Sequence, residues 1–147
     1  MNSTLTPTIT LIAERSHPIA RYGAPTARVL LGLVFFVCGL NGFLNFIPPP
    51  STPMPDRAMA FLGALIGTGY LLPLVAGTQV LAGALLLVGR FVPLALILLA
   101  PVIVNIVAFH VFLEPSGLVV AVVVLALESF LLWSHRAAYR GVLAARS

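Results

Sequence analysis

The sequence predicts an all-helical membrane protein, an up-down-up-down bundle of four transmembrane helices. Hydrophobic residues make up 60% of the 147 residues and charged residues only 8%, against roughly 25% in an average soluble domain. A water-soluble domain of this length has too little interior to hide so much apolar surface. Four apolar segments, each long enough to cross a bilayer, are separated by turn-forming residues. We therefore expect one compact domain with lipid as its solvent.

The four predicted spans follow from the length of the apolar runs, because a helix needs about 20 apolar residues to cross the hydrocarbon core. They cover residues 26–46, 70–89, 92–112 and 117–134. The short connections between them make neighbouring helices antiparallel. Outside the membrane domain, residues 26–135, we expect a flexible cytoplasmic tail at residues 1–25 and a basic cytoplasmic tail at residues 136–147 that lies on the membrane surface.

The distribution of arginine predicts the orientation in the membrane. The chain has eight arginines and no lysine. If the N-terminus lies in the cytoplasm, every arginine except Arg57 falls on the inner side, as the positive-inside rule requires. The sequence thus predicts a bacterial cytoplasmic membrane protein with both termini inside. Nucleic-acid binding is not expected, since no basic run is interleaved with exposed aromatic residues.

A short apolar segment, residues 57–68, separates the first two spans. At about twelve residues it is too short to cross the membrane. Gly63 and Gly67 have the spacing that allows close packing on another helix. We expect a short interfacial or re-entrant helix here; the alternative is an outward extension of the second span.

Polar side chains inside the membrane are costly, and they therefore mark candidate functional sites. Asn41 and Asn105 both fall roughly 20 Å from the inner boundary at 1.5 Å per residue, while Asn45 and His110 fall near the outer one. These positions predict a polar cleft in the outer half, where amides orient a carbonyl or hydroxyl group and His110 exchanges a proton. The alternative is structural: the two asparagines bond between helices and His110 caps the interface.

Glu128 is the only acidic residue that falls within a predicted span. Arg28 and Arg90 begin or end helices near its depth, so that a structural ion pair with either is one interpretation. Proton transfer or contact with a substrate is the other. Gln79, near the middle of the second span, is expected to face Glu128 or the outer cleft.

Several classes of protein are excluded by the residues that the chain contains. Cys38 is the single cysteine, so an internal disulfide, a CxxC motif and a cysteine-built metal site cannot form. The histidines at positions 17, 110 and 135 do not face one another within a bundle, as bis-histidine heme ligation requires. Glycine-rich nucleotide motifs are also missing. We expect no metal or heme site and no autonomous enzyme.

The chain resembles the DoxX family of small bacterial membrane proteins over residues 26–143. The matching stretches are ARVLLGL (27–33), GLNGF (39–43), GYLLP (69–73), GTQVLAG (77–83), PVIVNIVAFH (101–110) and FLEP (112–115). Relatives commonly have Glu where this chain has Gln79, which removes a carboxylate from that position. The resemblance implies association with membrane redox complexes, since the family's namesake is similar to a subunit of a thiosulfate:quinone oxidoreductase.

Three functions are compatible with these observations. The first is a redox-associated subunit whose outer cleft holds a quinone head group for a partner oxidoreductase that carries the electron-transfer cofactor. The second is a carrier for an uncharged solute, with Glu128 and Gln79 on its pathway; four spans are few for a carrier, so a homodimer would be needed. The third is a scaffold whose polar residues only specify helix packing. A scaffold should have no open polar cleft.

Overall fold

The computed structural model describes residues 18–48 and 51–143, with side chains at 22–48 and 51–140. These residues form helices and turns and no strand. The helices are α1 (Pro18–Leu44), α2 (Asp56–Gly67), α3 (Leu71–Val88), α4 (Val92–Phe112), α5 (Leu118–Ser134) and α6 (Arg136–Leu143), with a 3-10 turn at Pro115–Gly117. Four of them, α1, α3, α4 and α5, are long and apolar enough to cross a membrane. The predicted four-span, all-helical fold is confirmed.

The boundaries of α3, α4 and α5 lie within one residue of the predicted spans, but α1 begins earlier than predicted, at Pro18. The span was predicted to begin at residue 26, but the helix continues upstream through Pro25, which lies inside α1. Proline in a helix interior removes one i→i−4 hydrogen bond, in this case the bond to the carbonyl of residue 21. Residues 1–17 and 144–147, parts of the predicted tails, lie outside the described residues.

The spanning helices form a ring in which each contacts two others. α1 packs against α3 and α5, and α4 packs against the same two helices. α1 and α4 therefore occupy opposite corners of the bundle, and so do α3 and α5.

The closest helix contact, between α1 and α3, depends on glycine. A Cβ atom at Gly83 would lie 2.6 Å from the backbone nitrogen of Phe36, and one at Gly39 would lie 2.7 Å from that of Val80. Real Cβ atoms do not approach so closely, so only glycine permits this separation of the two backbones.

The bundle interior is aliphatic and its outer surface is equally apolar. Large side chains that are no more than 2% exposed come from all four spans: Leu31, Phe35, Leu86, Leu96, Leu99, Ile103 and Leu131. Large apolar side chains also cover the outside, among them Val104 at 63% and Val119 at 76% exposed. A helix that is hydrophobic all round is characteristic of a membrane span. The exposed apolar faces thus fit a lipid environment.

The short helix α2 is a separate element and does not extend α3. Gly69, with φ +73°, turns the chain between them, and the backbone N–H of Leu71 donates to Thr68 Oγ1 at 3.2 Å. Ala58 is fully buried, and the ring centroids of Phe61 and Phe109 lie 5.7 Å apart. α2 thus packs across the ends of α3 and α4.

The glycine pair of α2 does not mediate close packing against any described part of the chain. A Cβ atom at Gly63 or at Gly67 would meet nothing within 4 Å. The expectation that their spacing brings α2 tightly against another helix of the bundle is therefore wrong. The helix is held instead through Ala58 and Phe61, on its other faces.

The two ends of the bundle are formed by different helices and turns. The terminal end carries the start of α1, the turn Gly89–Phe91 and α6; the loop end carries α2 and the turn Pro115–Gly117. At the terminal end the Tyr139 hydroxyl of α6 donates to the carbonyl oxygen of Pro93 at 3.1 Å. This bond joins α6 to the first turn of α4.

Candidate functional site

A cavity of about 470 Å³ lies between α3 and α4, and α2 contributes to its wall at the loop end. It is open to the outer surface of the bundle, where Ile97, Pro101 and Asn105 are exposed. We call it the α3–α4 cavity. Its lining is Leu65, Leu71, Leu72, Leu74, Val75, Thr78, Gln79, Ile97, Leu98, Pro101, Val102, Asn105 and Ile106. Ligand pockets typically have volumes of roughly 300–1,000 Å³ and an apolar lining with a few polar groups. The α3–α4 cavity has both properties.

The helical repeat of α4 brings its cavity residues onto one face. Ile97, Pro101 and Asn105 are four residues apart, so they lie above one another along the helix. Proline has no N–H, and the carbonyl of Ile97 therefore lacks the Pro101 amide that would normally bond it. The α4 side of the cavity thus combines an amide side chain with a backbone carbonyl that has lost its usual helical donor.

Two amide side chains line the cavity without an internal partner. Within the described residues, neither Gln79 nor Asn105 makes a hydrogen bond. The third polar lining residue, Thr78, differs because its hydroxyl donates to the carbonyl oxygen of Leu74 at 2.9 Å. Each amide offers two N–H donors and a carbonyl acceptor. Gln79 and Asn105 can therefore bond a ligand without giving up an existing contact.

Asn41 and Asn45 lie outside this cavity and close the end of α1. The Oδ1 atom of Asn41 accepts a hydrogen bond from the backbone N–H of Ile47 at 2.7 Å. Asn45 has a left-handed backbone, φ +49°, a conformation that asparagine tolerates better than most residues at a helix end. Because α1 and α4 stand at opposite corners, the similar depth of Asn41 and Asn105 does not bring them into one cleft.

His110 also lies outside the cavity, in the connection between α4 and α5. Its Nδ1 atom is 2.7 Å from the carbonyl oxygen of Glu114 and 3.3 Å from the carboxylate Oε2 of the same residue. Hydrogen bonding from Ser116 lowers the pKa of Glu114, so the carboxylate stays ionised beside the ring. The predicted cleft of Asn41, Asn45, Asn105 and His110 is therefore not formed; His110 holds a turn.

Glu128 is buried in α5, with 2% of its surface exposed, and it has no partner in the described part of the chain. Both carboxylate oxygens lack a hydrogen bond, and neither Arg28 nor Arg90 forms an ion pair with it. The Arg28 guanidinium extends instead to Gly89, where its Cζ lies 2.9 Å from the position of a Cβ atom. Arg90 is exposed at the following position. The expected ion pair is absent because Arg28 turns toward the α3–α4 connection.

Glu128 and Gln79 do not share a cavity. The lining of the α3–α4 cavity comes from α2, α3 and α4, and α5 contributes no residue to it. α3 and α5 stand at opposite corners of the ring. Of the six polar candidates from the sequence, the structure thus brings together Gln79 and Asn105 alone.

Sequence reasoning missed the contribution of Pro101 and of α2 to the site. The four-residue spacing of Ile97, Pro101 and Asn105 was visible and would have placed the proline on the asparagine's face. The approach of Leu65 from α2 had no comparable signal, since it depends on how the short helix folds back over α3 and α4.

These features define a class of protein: a small membrane protein of four spanning helices with an amide-lined cavity between two of them. The sequence model of the DoxX family matches residues 23–111, more than half of the chain, and the chain therefore belongs to the DoxX family. The match includes every residue that lines the α3–α4 cavity and ends before α5, which carries Glu128. Comparison with curated proteins finds no match, and comparison with solved structures finds none either.

Proposed function

We propose that this DoxX-family protein binds the head group of a membrane quinone or quinol in the α3–α4 cavity and works as a membrane subunit beside a partner oxidoreductase. The observation that supports this most directly is the pair of amides, Gln79 and Asn105, which line one cavity of about 470 Å³ without an internal hydrogen bond. An unsatisfied amide within a membrane span costs free energy unless a ligand, lipid or water bonds it.

The chemistry of the lining favours a neutral, flat and lipophilic ligand. No charged side chain lines the cavity, and ten of its thirteen lining residues are Leu, Ile, Val or Pro. A quinone ring carries two carbonyl oxygens that accept hydrogen bonds, and a quinol carries two hydroxyls that also donate. The side-chain N–H groups of Gln79 and Asn105, on neighbouring helices, can donate hydrogen bonds to the carbonyl oxygens of a quinone. The amide oxygens of the same two residues and the carbonyl of Ile97 can accept hydrogen bonds from the hydroxyls of a quinol.

In the proposed complex this chain binds the quinone and the partner carries out the electron transfer. The described lining residues offer hydrogen bonds and apolar contact, which hold and orient a quinone. A partner oxidoreductase at the membrane surface would exchange electrons with the bound ring. The resemblance to the DoxX family, whose namesake is similar to a subunit of a thiosulfate:quinone oxidoreductase, agrees with this arrangement.

The alternatives receive less support from the geometry. A carrier pathway that includes both Glu128 and Gln79 is disfavoured because the two residues lie at opposite corners and line no common cavity. A scaffold does not require an open cavity with free amides. The cavity is therefore the feature that favours ligand binding over a purely structural role.

Binding of a short-tail quinone to the purified protein in nanodiscs tests the proposal. Gln79→Leu and Asn105→Leu each remove a hydrogen bond worth about 1 kcal/mol, and each should weaken binding by roughly fivefold. Asn45→Gly is the matched control: it deletes an amide outside the cavity and keeps a residue that accepts positive φ. Equal affinity in wild type and in both leucine variants would overturn the proposal.

A further inference from the structure

We propose that the terminal end of the bundle binds the head group of an anionic phospholipid, at a basic cluster formed by Arg28, Arg90 and Arg140 around the turn Gly89–Pro93. This site is separate from the α3–α4 cavity, and the inference does not depend on what that cavity binds.

Three elements of the chain bring arginine to this turn. From α1, the Arg28 guanidinium packs against Gly89, where it leaves no room for a side chain. Arg90 belongs to the turn itself and is exposed. From α6, the Tyr139 hydroxyl donates to the carbonyl oxygen of Pro93 at 3.1 Å, which joins to this turn the short helix that also carries the exposed Arg140. The residues that converge here are far apart in sequence, so the fold assembles the cluster.

The charges of the cluster are not neutralised within the described residues. Arg90 and Arg140 make no hydrogen bond or ion pair there, and the Arg28 Nε atom is buried without a partner. Of the acidic residues described, Asp56 and Glu114 belong to the loop end. Glu128 lies near Tyr139, but it is buried and forms no ion pair with an arginine. Within the described residues the three arginines thus have no acidic partner, which leaves them able to bind an external anion.

The surroundings of the cluster favour a lipid as the source of that anion. The site lies where spanning helices end, at the level expected for phospholipid head groups. Trp133 is 64% exposed there, with the Arg136 guanidinium 4.6 Å from its ring centroid. An exposed tryptophan beside arginine at the end of a span is typical of the membrane interface, and basic residues next to spans attract anionic lipid.

Native mass spectrometry of the protein released from nanodiscs of phosphatidylcholine and phosphatidylglycerol tests this inference. The wild type should retain phosphatidylglycerol in excess of its share of the bilayer. Arg90→Gln and Arg140→Gln should each reduce that preference by roughly fivefold, and raised salt should reduce it in all forms. Both arginines are exposed, so these substitutions leave the packed interior intact.

The control variant is Arg57→Gln, which removes one exposed arginine from the loop end. It should keep the wild-type preference. Loss of the preference in Arg57→Gln to the same degree would mean that overall charge, and not the cluster, attracts the lipid. No preference in the wild type, or an undiminished preference in Arg90→Gln and Arg140→Gln, would overturn the inference; an acidic protein surface would then be the better match for the arginines.

Discussion

Gln79 on α3 and Asn105 on α4 line one cavity from neighbouring helices, and neither side-chain amide has a hydrogen-bond partner among the described residues. In a membrane span such groups are rare unless they serve packing or binding. Packing would require the amides to bond each other or a facing helix, which they do not. The absence of such partners is the basis for the proposal that this part of the bundle binds a ligand.

Pro101 should contribute to binding through the carbonyl that it leaves without a helical donor. In Pro101→Ala the backbone N–H restored at this position would bond the Ile97 carbonyl, which should stabilise the protein by about 1 kcal/mol and remove an acceptor from the cavity. We expect weaker binding of a quinol, a hydrogen-bond donor, with less effect on a quinone. Binding assays with both forms and thermal unfolding measure this.

Pro93→Ala is the control for that substitution. Pro93 lies in the first turn of α4, where its missing N–H costs no helical bond. Stability and binding should both stay close to wild type. If Pro101→Ala binds quinol as wild type does, the Ile97 carbonyl plays no part in recognition.

The packing of α1 on α3 should not tolerate a methyl group at Gly83. Its Cβ atom would lie 2.6 Å from the backbone nitrogen of Phe36, and backbone cannot move aside as a flexible side chain can. Gly83→Ala should destabilise the bundle by about 1–3 kcal/mol. Thermal unfolding in detergent measures this, with Gly63→Ala as the control.

Gly63 is the control because, unlike Gly83, it lies in an open position: among the described residues nothing is within 4 Å of the place where a Cβ atom would stand. Gly63→Ala should be neutral or stabilising by up to about 1 kcal/mol, because alanine favours the helix. Similar effects of the two substitutions would contradict the close α1–α3 contact.

Substitution of Glu128 distinguishes an unpaired carboxyl from an ion pair. The side chain is buried without a partner, so the neutral and isosteric Glu128→Gln should leave stability unchanged or raise it. Had Glu128 been paired with Arg28, loss of its charge would leave a buried arginine unpaired, at a cost of about 3–5 kcal/mol. Thermal unfolding of the variant decides between the two, and a large loss of stability would contradict the structure.

Tyr139 should hold α6 against α4 over the neutral pH range. Burial and the nearby Glu128 carboxylate raise the pKa of Tyr139, so its hydroxyl stays protonated and able to donate to Pro93. A raised pKa in the folded state means that this contribution is present below the ordinary tyrosine pKa, about 10, and is lost only at higher pH. Tyr139→Phe should lose the bond and accelerate amide hydrogen exchange in α6.

The exposed Tyr70, which has no hydrogen bond from its side chain in the described structure, provides the comparison for Tyr139. Tyr70→Phe should leave hydrogen exchange in α6 unchanged. If Tyr139→Phe also leaves it unchanged, contacts other than the hydroxyl bond to Pro93 hold the helix.

The sequence predicted the spans well because their signal is local. Length and hydropathy alone decide whether a segment such as residues 92–112 crosses a membrane, and α4 has those bounds. The start of α1 was predicted too late because the apolar run begins only after Pro25, whereas the helix itself begins at Pro18.

The candidate site was predicted only in part. The sequence gives the depth of a residue in the membrane, but it does not determine which corner of the bundle the residue's helix occupies. Asn41 and Asn105 have similar depths, yet α1 and α4 are diagonal. The roles of Asn45 and His110 depend on a left-handed backbone and on a loop that folds back to Glu114. Neither feature can be recognised from the residue types of a single sequence.

Photoaffinity labelling with an azido-quinone, followed by peptide mapping, tests the central claim most directly. We expect labels on α3 and α4, around Val75 and Asn105; Asn105→Leu should reduce the yield and Asn45→Gly should leave it unchanged. Labels confined to the outer faces of α1 and α5, or to the connection around His110, would contradict a quinone site in the α3–α4 cavity.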